Sequence, residues 1–211
     1  MVKLNRSSSA KRVKAPGKGP GLAGKAVQLE ITLRYIQPRI WRSLYVPGDI
    51  TLPQLHAVIQ IVMGWTDSHL HSFRQGNHEY VQPDPDDPGW KQTMSDMIIH
   101  DERKHTLGDL IASKGDKFTY TYDFGDDWEH EAVAVKIDPL LERLKRAQCF
   151  VGERACPPED CGSVPGYEEL VEALPNPKHP QHKHWREWIG DYDPGRFEVD
   201  EVNRLLRRVR V

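Results

Sequence analysis

Long apolar runs are missing from this 211-residue chain. A membrane-spanning helix needs about 20 largely apolar residues, and no stretch here approaches that length. Cysteine is scarce: there are three, an odd number, and the polar, basic N-terminus offers no signal-peptide h-region. Both observations argue against a disulfide framework and for a reducing, cytoplasmic setting. Several signatures are absent as well. There is no Gly-x-Ser-x-Gly elbow, phosphate-cradling glycine loop, dinucleotide fingerprint or Cys-x-x-Cys redox pair, which weighs against the common serine-hydrolase and nucleotide-dependent chemistries.

Acids are missing from residues 1–25, which carry Lys3, Arg6, Lys11, Arg12, Lys14, Lys18 and Lys25, a charge of +7. The other 22 basic and 31 acidic residues leave the rest of the chain at −9. Ser7-Ser8-Ser9 and the Pro/Gly alternation from Pro16 to Gly24 cannot build a core, so 1–25 reads as a disordered basic arm. Such an arm binds nucleic acid through phosphates. It also fits a solubilising tail or an organelle-targeting peptide.

Ordered structure is expected over 26–211 as one α+β domain: a mainly antiparallel sheet, helices packed on one face, and a helical C-terminal third. Val27, Leu29, Ile31, Leu33 and Tyr35 alternate with polar residues, the period-2 pattern of a half-buried strand. A second strand runs from Arg39 to Val46. Thr51-Leu52-Pro53-Gln54 is a capping box with proline in the first turn, and Gly64 is placed to end the helix it opens. Strands follow over His69–Arg74 and His78–Gln82, then a proline-rich loop over 83–89. A second helix is capped by Thr106 and Asp109. Phe118, Tyr120, Tyr122 and Phe124 lead into a hairpin that returns along Trp128 to Ile137. Helices are predicted over Leu140–Ala147, Tyr167–Leu174, His182–Ile189 and Val199–Val209.

Tyr122-Asp123-Phe124-Gly125-Asp126-Asp127-Trp128-Glu129-His130-Glu131 gathers five carboxylates and a histidine around one turn. Like charges held close require solvent, a cation or positive groups, so the turn is either a solvated hairpin tip or a site. His69 and His71 lie two apart and project from one face if both lie on a strand, as two ligands of one metal must. Asp67 is near enough to join them or to orient a ring. The ligand candidates are His69, His71, Asp123, Asp126, Asp127 and His130, with Trp128 closing a pocket or capping the core. If the strands converge, these groups form a His/Asp cleft.

Cys149, Cys156 and Cys161 are spaced more widely than the usual zinc knuckle, and a histidine such as His71 or His130 would have to complete a structural zinc site. Otherwise they are three buried thiols behaving as small apolar residues.

Several unusual blocks occur in order: Ile40-Trp41-Arg42, Thr51-Leu52-Pro53-Gln54-Leu55-His56, Met63-Gly64-Trp65-Thr66-Asp67-Ser68-His69-Leu70-His71, the Tyr122–His130 stretch, Gly152–Gly162 with its Pro157-Pro158-Glu159-Asp160, and Gly166-Tyr167-Glu168-Glu169-Leu170. Over about residues 26–207 they resemble the plasmid pRiA4b ORF-3-like family. The resemblance implies a compact α+β protein with no established activity and a link to plasmids and insertion sequences. The chain departs from it at Ser163-Val164-Pro165, where relatives commonly show a second glycine. The reading that follows is a non-enzymatic binding or accessory protein, linked to mobile elements and nucleic acid through the basic arm. The alternative is a metal-dependent hydrolase or nuclease using the His/Asp cleft.

Overall fold

The computed structural model describes residues 21–83, 86, 96–139 and 144–209. Alternating burial along Ala26–Leu33 (β1) follows from its period-2 pattern, with Val27, Leu29, Ile31 and Leu33 inside and Gln28, Glu30 and Thr32 half-exposed. Trp41–Pro47 (β2) returns antiparallel to it. Leu52–Met63 (α1) follows, with Thr51 and Gln54 forming the capping box and Gly64 ending the helix at φ 99°. Leu55, Val58, Ile59 and Val62 fall on its buried side.

The remaining strands are His71–Gln75 (β3), His78–Val81 (β4), Ile98–Asp101 (β5), Lys117–Tyr122 (β6), Trp128–Asp138 (β7) and Gln148–Glu153 (β8). The short helix Leu107–Leu110 (α2) lies between β5 and β6, where Asp109 accepts from the Thr106 backbone N–H at 2.9 Å. Ser163–Ala173 (α3), His182–Ile189 (α4) and Val199–Leu206 (α5) come after β8.

One eight-stranded sheet results, in the order β5-β4-β3-β6-β7-β1-β2-β8. Every neighbouring pair is antiparallel except β4 and β5. The register aligns Phe73, Tyr120, His130 and Leu33 across four strands, with Tyr122 and Trp128 in the next row. These side chains are buried, and α1 lies over them: His56 and Gln60 both reach the Tyr120 hydroxyl. Arg42, buried in the same layer, donates to the carbonyls of Trp41, Val62, Glu153 and Arg154. On the opposite face, Glu129 pairs with Arg34 and Arg74, and Glu131 pairs with Lys117. Two of the five hairpin acids are therefore engaged in cross-strand ion pairs.

Three expectations are revised. The C-terminal third is mixed, because β8 precedes its helices. Residues 144–147 are not helical, and 140–143 lie outside the described residues, as do most of the 83–89 loop and residues 1–20 of the arm. β3 begins at His71, so His69 does not share a strand face with it. Asp67 adopts a left-handed φ of 58° and Leu70 is 63% exposed, and the chain enters the sheet only after both.

Candidate functional site

The β6–β7 hairpin turns through Asp123 and Asp127, both left-handed at φ 56° and 55°. Aspartate tolerates that region because its short side chain bonds locally. Asp123 Oδ1 accepts from the backbone N–H of Gly125 at 2.9 Å and of Asp126 at 3.3 Å. Its other oxygen, Oδ2, lies 3.7 Å from Nε2 of His69.

His69 is set beside that turn by the segment leading into β3. Its Nε2 is also 3.1 Å from Asp160 Oδ1 and 3.9 Å from Glu159 Oε2. The nitrogen is shielded from solvent yet forms no well-directed hydrogen bond. Edge-on contact with Tyr122, at 5.9 Å between ring centres, sets the imidazole's tilt. The Tyr122 hydroxyl donates to Glu159 and accepts from the Ser68 N–H. Burial, reinforced by the Glu159 carboxylate, pushes that hydroxyl's pKa up to about 12, so it stays a donor at neutral pH.

The loop carrying Glu159 and Asp160 is fastened from two sides. Glu159 accepts from the N–H and hydroxyl of Thr66 at 2.8 and 3.0 Å, and the Trp65 indole donates to the Pro157 carbonyl. From the hairpin, Asp126 Oδ2 accepts from the Gly162 N–H at 3.1 Å, while the Ser163 hydroxyl donates to the Asp126 carbonyl at 2.7 Å. Ser163 occupies the position where a glycine is expected and has a left-handed φ of 63°.

The candidates from the sequence thus separate. His69 and Asp123 meet. Asp126 braces the neighbouring loop, and Asp127 is exposed at the tip. Trp128 and His130 are core residues, 1% and 0% exposed. His71 is buried and pairs with Glu102 at 2.9 Å, and Asp67 bonds His56 rather than His69 or His71. Cys149, Cys156 and Cys161 are free and buried. Burial pushes the Cys156 and Cys161 thiols up to about 12, which favours the protonated form. Among the described residues, no cysteine belongs to a group of three convergent ligands.

Among the described residues, the group that does converge is His69, Asp123 and Asp160, whose ligand atoms all lie within 4.8 Å of one another. Metal–ligand bonds of about 2.0–2.2 Å set neighbouring ligand atoms roughly 3–3.5 Å apart, and His69 Nε2 lies near that spacing, 3.1 Å from Asp160 and 3.7 Å from Asp123. One imidazole and two carboxylates form a nitrogen/oxygen donor set suited to zinc or manganese, with Glu159 beside it. Asp160 and Glu159 were not among the sequence candidates. Their tandem placement after Pro157-Pro158 was the available signal, and the flanking cysteines obscured it. A separate cavity of about 370 Å³ lies between α1 and α5, lined by residues including Arg42, Met63, Cys156, Tyr192 and Phe197. None of the histidine or aspartate candidates lines it.

A mostly antiparallel sheet covered by a capped helix, with a His/Asp cluster where three loops meet, defines a mixed α/β class of protein. The chain belongs to the plasmid pRiA4b ORF-3-like protein family, whose model matches residues 25–201. It is 36% identical over 190 residues to the uncharacterized protein y4hQ of Sinorhizobium fredii, covering 88% of this chain and 92% of that protein. It is also similar to the crystal structure of MM3350 from Methanosarcina mazei Go1, a protein of unknown function. The TM-score is 0.72 at 33% identity, over 84% of this chain and 97% of that one. Among the described residues, no helix is long and apolar enough to cross a membrane.

Proposed function

We propose that this chain is a non-enzymatic binding protein of the cytoplasm that holds a divalent cation on His69, Asp123 and Asp160. The observation that carries this reading is the His69 Nε2. It is shielded from water and lacks a hydrogen bond, yet three carboxylates stand within 3.9 Å of it. A buried nitrogen lone pair among carboxylates is poorly satisfied without a proton or a metal. Asp123 keeps its turn through Oδ1 and presents Oδ2, so folding prepares the donor set in advance.

The test is calorimetric titration of chelator-stripped protein with Zn²⁺ and Mn²⁺. His69→Ala is expected to weaken binding of at least one of these ions by tenfold or more without altering the fold. Equal affinity in His69→Ala and wild type for both ions would overturn the reading. The hydrolase alternative uses the same donors with an open coordination position. Metal-dependent phosphodiesterase or nuclease turnover that disappears in His69→Ala would replace the binding reading with that one. An accessory role with nucleic acid, and through it a link to mobile elements, draws its support from the +7 charge of residues 1–25.

A further inference from the structure

A second group of histidines lies at the opposite margin of the sheet from β8, where β4 pairs in parallel with the edge strand β5. The register sets Tyr80 opposite His100 and His78 opposite Ile98, so His78, Tyr80 and His100 share one face. The His100 ring lies nearly parallel to both neighbours, 5.1 Å from His78 at 18° and 4.8 Å from Tyr80 at 21°. His78 Nδ1 is 2.8 Å from His100 Nε2. A third imidazole, His105, stands edge-on to His100 at 5.1 Å, with its Nδ1 3.4 Å from an Asp109 carboxylate oxygen. All three histidines are half-buried.

We propose that His78 Nδ1 and His100 Nε2 form a transition-metal site, distinct from the His69 cluster and independent of the reading given to it. Two imidazole nitrogens aimed at each other are already close to the separation a metal imposes. Bonds of about 2.0–2.1 Å place two nitrogens of one tetrahedral ion roughly 3.3 Å apart, so the nitrogens must part by about 0.5 Å and each ring turn by roughly 35° to admit it. In the metal-free pair, one ring's N–H donates to the other's lone pair. On metal binding that proton moves to the far nitrogen of the same ring, both facing lone pairs go to the metal, and no net proton is released. Burial, followed by the neighbouring His105 and His78, lowers the pKa of His100, which keeps its imidazole neutral and able to ligate. Imidazole donors select Ni²⁺, Cu²⁺ and Zn²⁺ over Mg²⁺ or Ca²⁺, and water completes the coordination shell.

The experiment uses the full chain, stripped of metal, with Ni²⁺ as probe. In a His69→Ala background, which removes the first cluster, Ni²⁺ is expected to bind. Adding His78→Gln or His100→Gln should weaken that binding at least tenfold, while His184→Ala, on α4, should leave it unchanged. In the unsubstituted chain, Ni²⁺ should protect His78 and His100 from carbethoxylation by diethyl pyrocarbonate, read by mass spectrometry, so a variant that folds poorly does not blunt the test. Unchanged Ni²⁺ affinity in a folded His78→Gln variant, or no protection of either ring at saturating Ni²⁺, would reduce the pair to a plain hydrogen bond and overturn the proposal. Failure of the His69 reading appears only in the wild-type against His69→Ala comparison, so the two outcomes are distinguishable.

Discussion

His56 lies flat against His71, with 3.5 Å between ring centres and 6° between planes. Each ring has its own carboxylate. His56 Nε2 meets Asp67 at 2.8 Å, and His71 Nε2 meets Glu102 at 2.9 Å, while His56 Nδ1 bonds the Tyr120 hydroxyl. This stack holds His71 in the core although its sequence neighbour His69 stands among the loop carboxylates.

The two histidines should therefore respond differently to truncation. His71→Ala leaves Glu102, whose side chain is 4% exposed, without its partner and opens space beneath His56. Removing one member of a buried pair costs about 3–5 kcal/mol. His69→Ala removes a quarter-exposed ring that makes no directed hydrogen bond, and is expected to cost about 1 kcal/mol or less. Urea denaturation at pH 7.5 checks this. Equal stabilities would mean that the His71–Glu102 pair does not contribute to the fold.

The turn aspartates separate charge from geometry. Asparagine keeps an acceptor for the Gly125 N–H and tolerates left-handed backbone, so Asp123→Asn should preserve the hairpin while lowering cation affinity at least tenfold. Asp127→Asn, at the exposed tip, should bind as wild type does. Zn²⁺ titrations of the two variants side by side give the comparison. An Asp127→Asn loss equal to that of Asp123→Asn would move the site out to the tip.

The basic arm supplies a prediction independent of the cluster. Full-length protein should bind DNA weakly and without sequence preference, and both deletion of residues 1–25 and 0.5 M salt should abolish the binding by removing phosphate contacts or restoring counterion competition. Fluorescence anisotropy with a short duplex reads both. A truncated protein that binds equally well would place the contact surface elsewhere.

Local patterns in the sequence identified local structure well. Alternation along β1, the Thr51–Gln54 box and the aromatic face of β6 each point to one element, and each element forms. The pairing of His69 with Asp123 was legible as an excess of ligand-type side chains in two segments. The shared face inferred for His69 and His71 held only if the strand reached both, and the turn at Asp67 delays it. Glu159 and Asp160 escaped notice because what brings them to His69 is tertiary. The bonds from Thr66 to Glu159 and from Ser163 to Asp126 span 93 and 37 residues, and no period in the sequence records them. β8 was hidden for a similar reason, since its pairing with β2 gives Cys149 a place in a ladder rather than in a knuckle.

Ser163 offers a test of how the site's loop is held. Its left-handed backbone is strained for a residue with a Cβ, and its hydroxyl bond to the Asp126 carbonyl offsets that strain. Ser163→Ala keeps the strain and loses the bond, so it should destabilise by about 1 kcal/mol. Ser163→Gly loses the bond but relieves the strain, and should fall within about 0.5 kcal/mol of wild type. Thermal unfolding of the pair decides it. An alanine variant as stable as the glycine variant would show that the backbone at 163 is not strained.

Acid sensitivity should arise in part from His130. Its ring, on β7, is fully buried against Trp65 and Tyr120, with Nδ1 3.1 Å from the Tyr120 carbonyl and Nε2 without a partner. Burial lowers its pKa to about 4, well below the 6.5 of an ordinary imidazole. The folded state thus prefers the neutral ring, and below pH 6.5 the unfolded state takes up a proton that the folded state refuses. The contribution is complete above that pH, drains as pH falls toward 4, and is spent below it. The difference amounts to about 3 kcal/mol at full depth. His56, whose pKa is lowered chiefly by burial, adds to the same window, whereas Asp101, held near 2 by Arg103, acts only at lower pH. Urea denaturation between pH 7.5 and 4.5 should show stability falling with acid, and His130→Leu should reduce the slope by about one proton. If His130→Leu leaves the slope unchanged, His130 is already protonated in the folded protein and its burial does not drive acid unfolding.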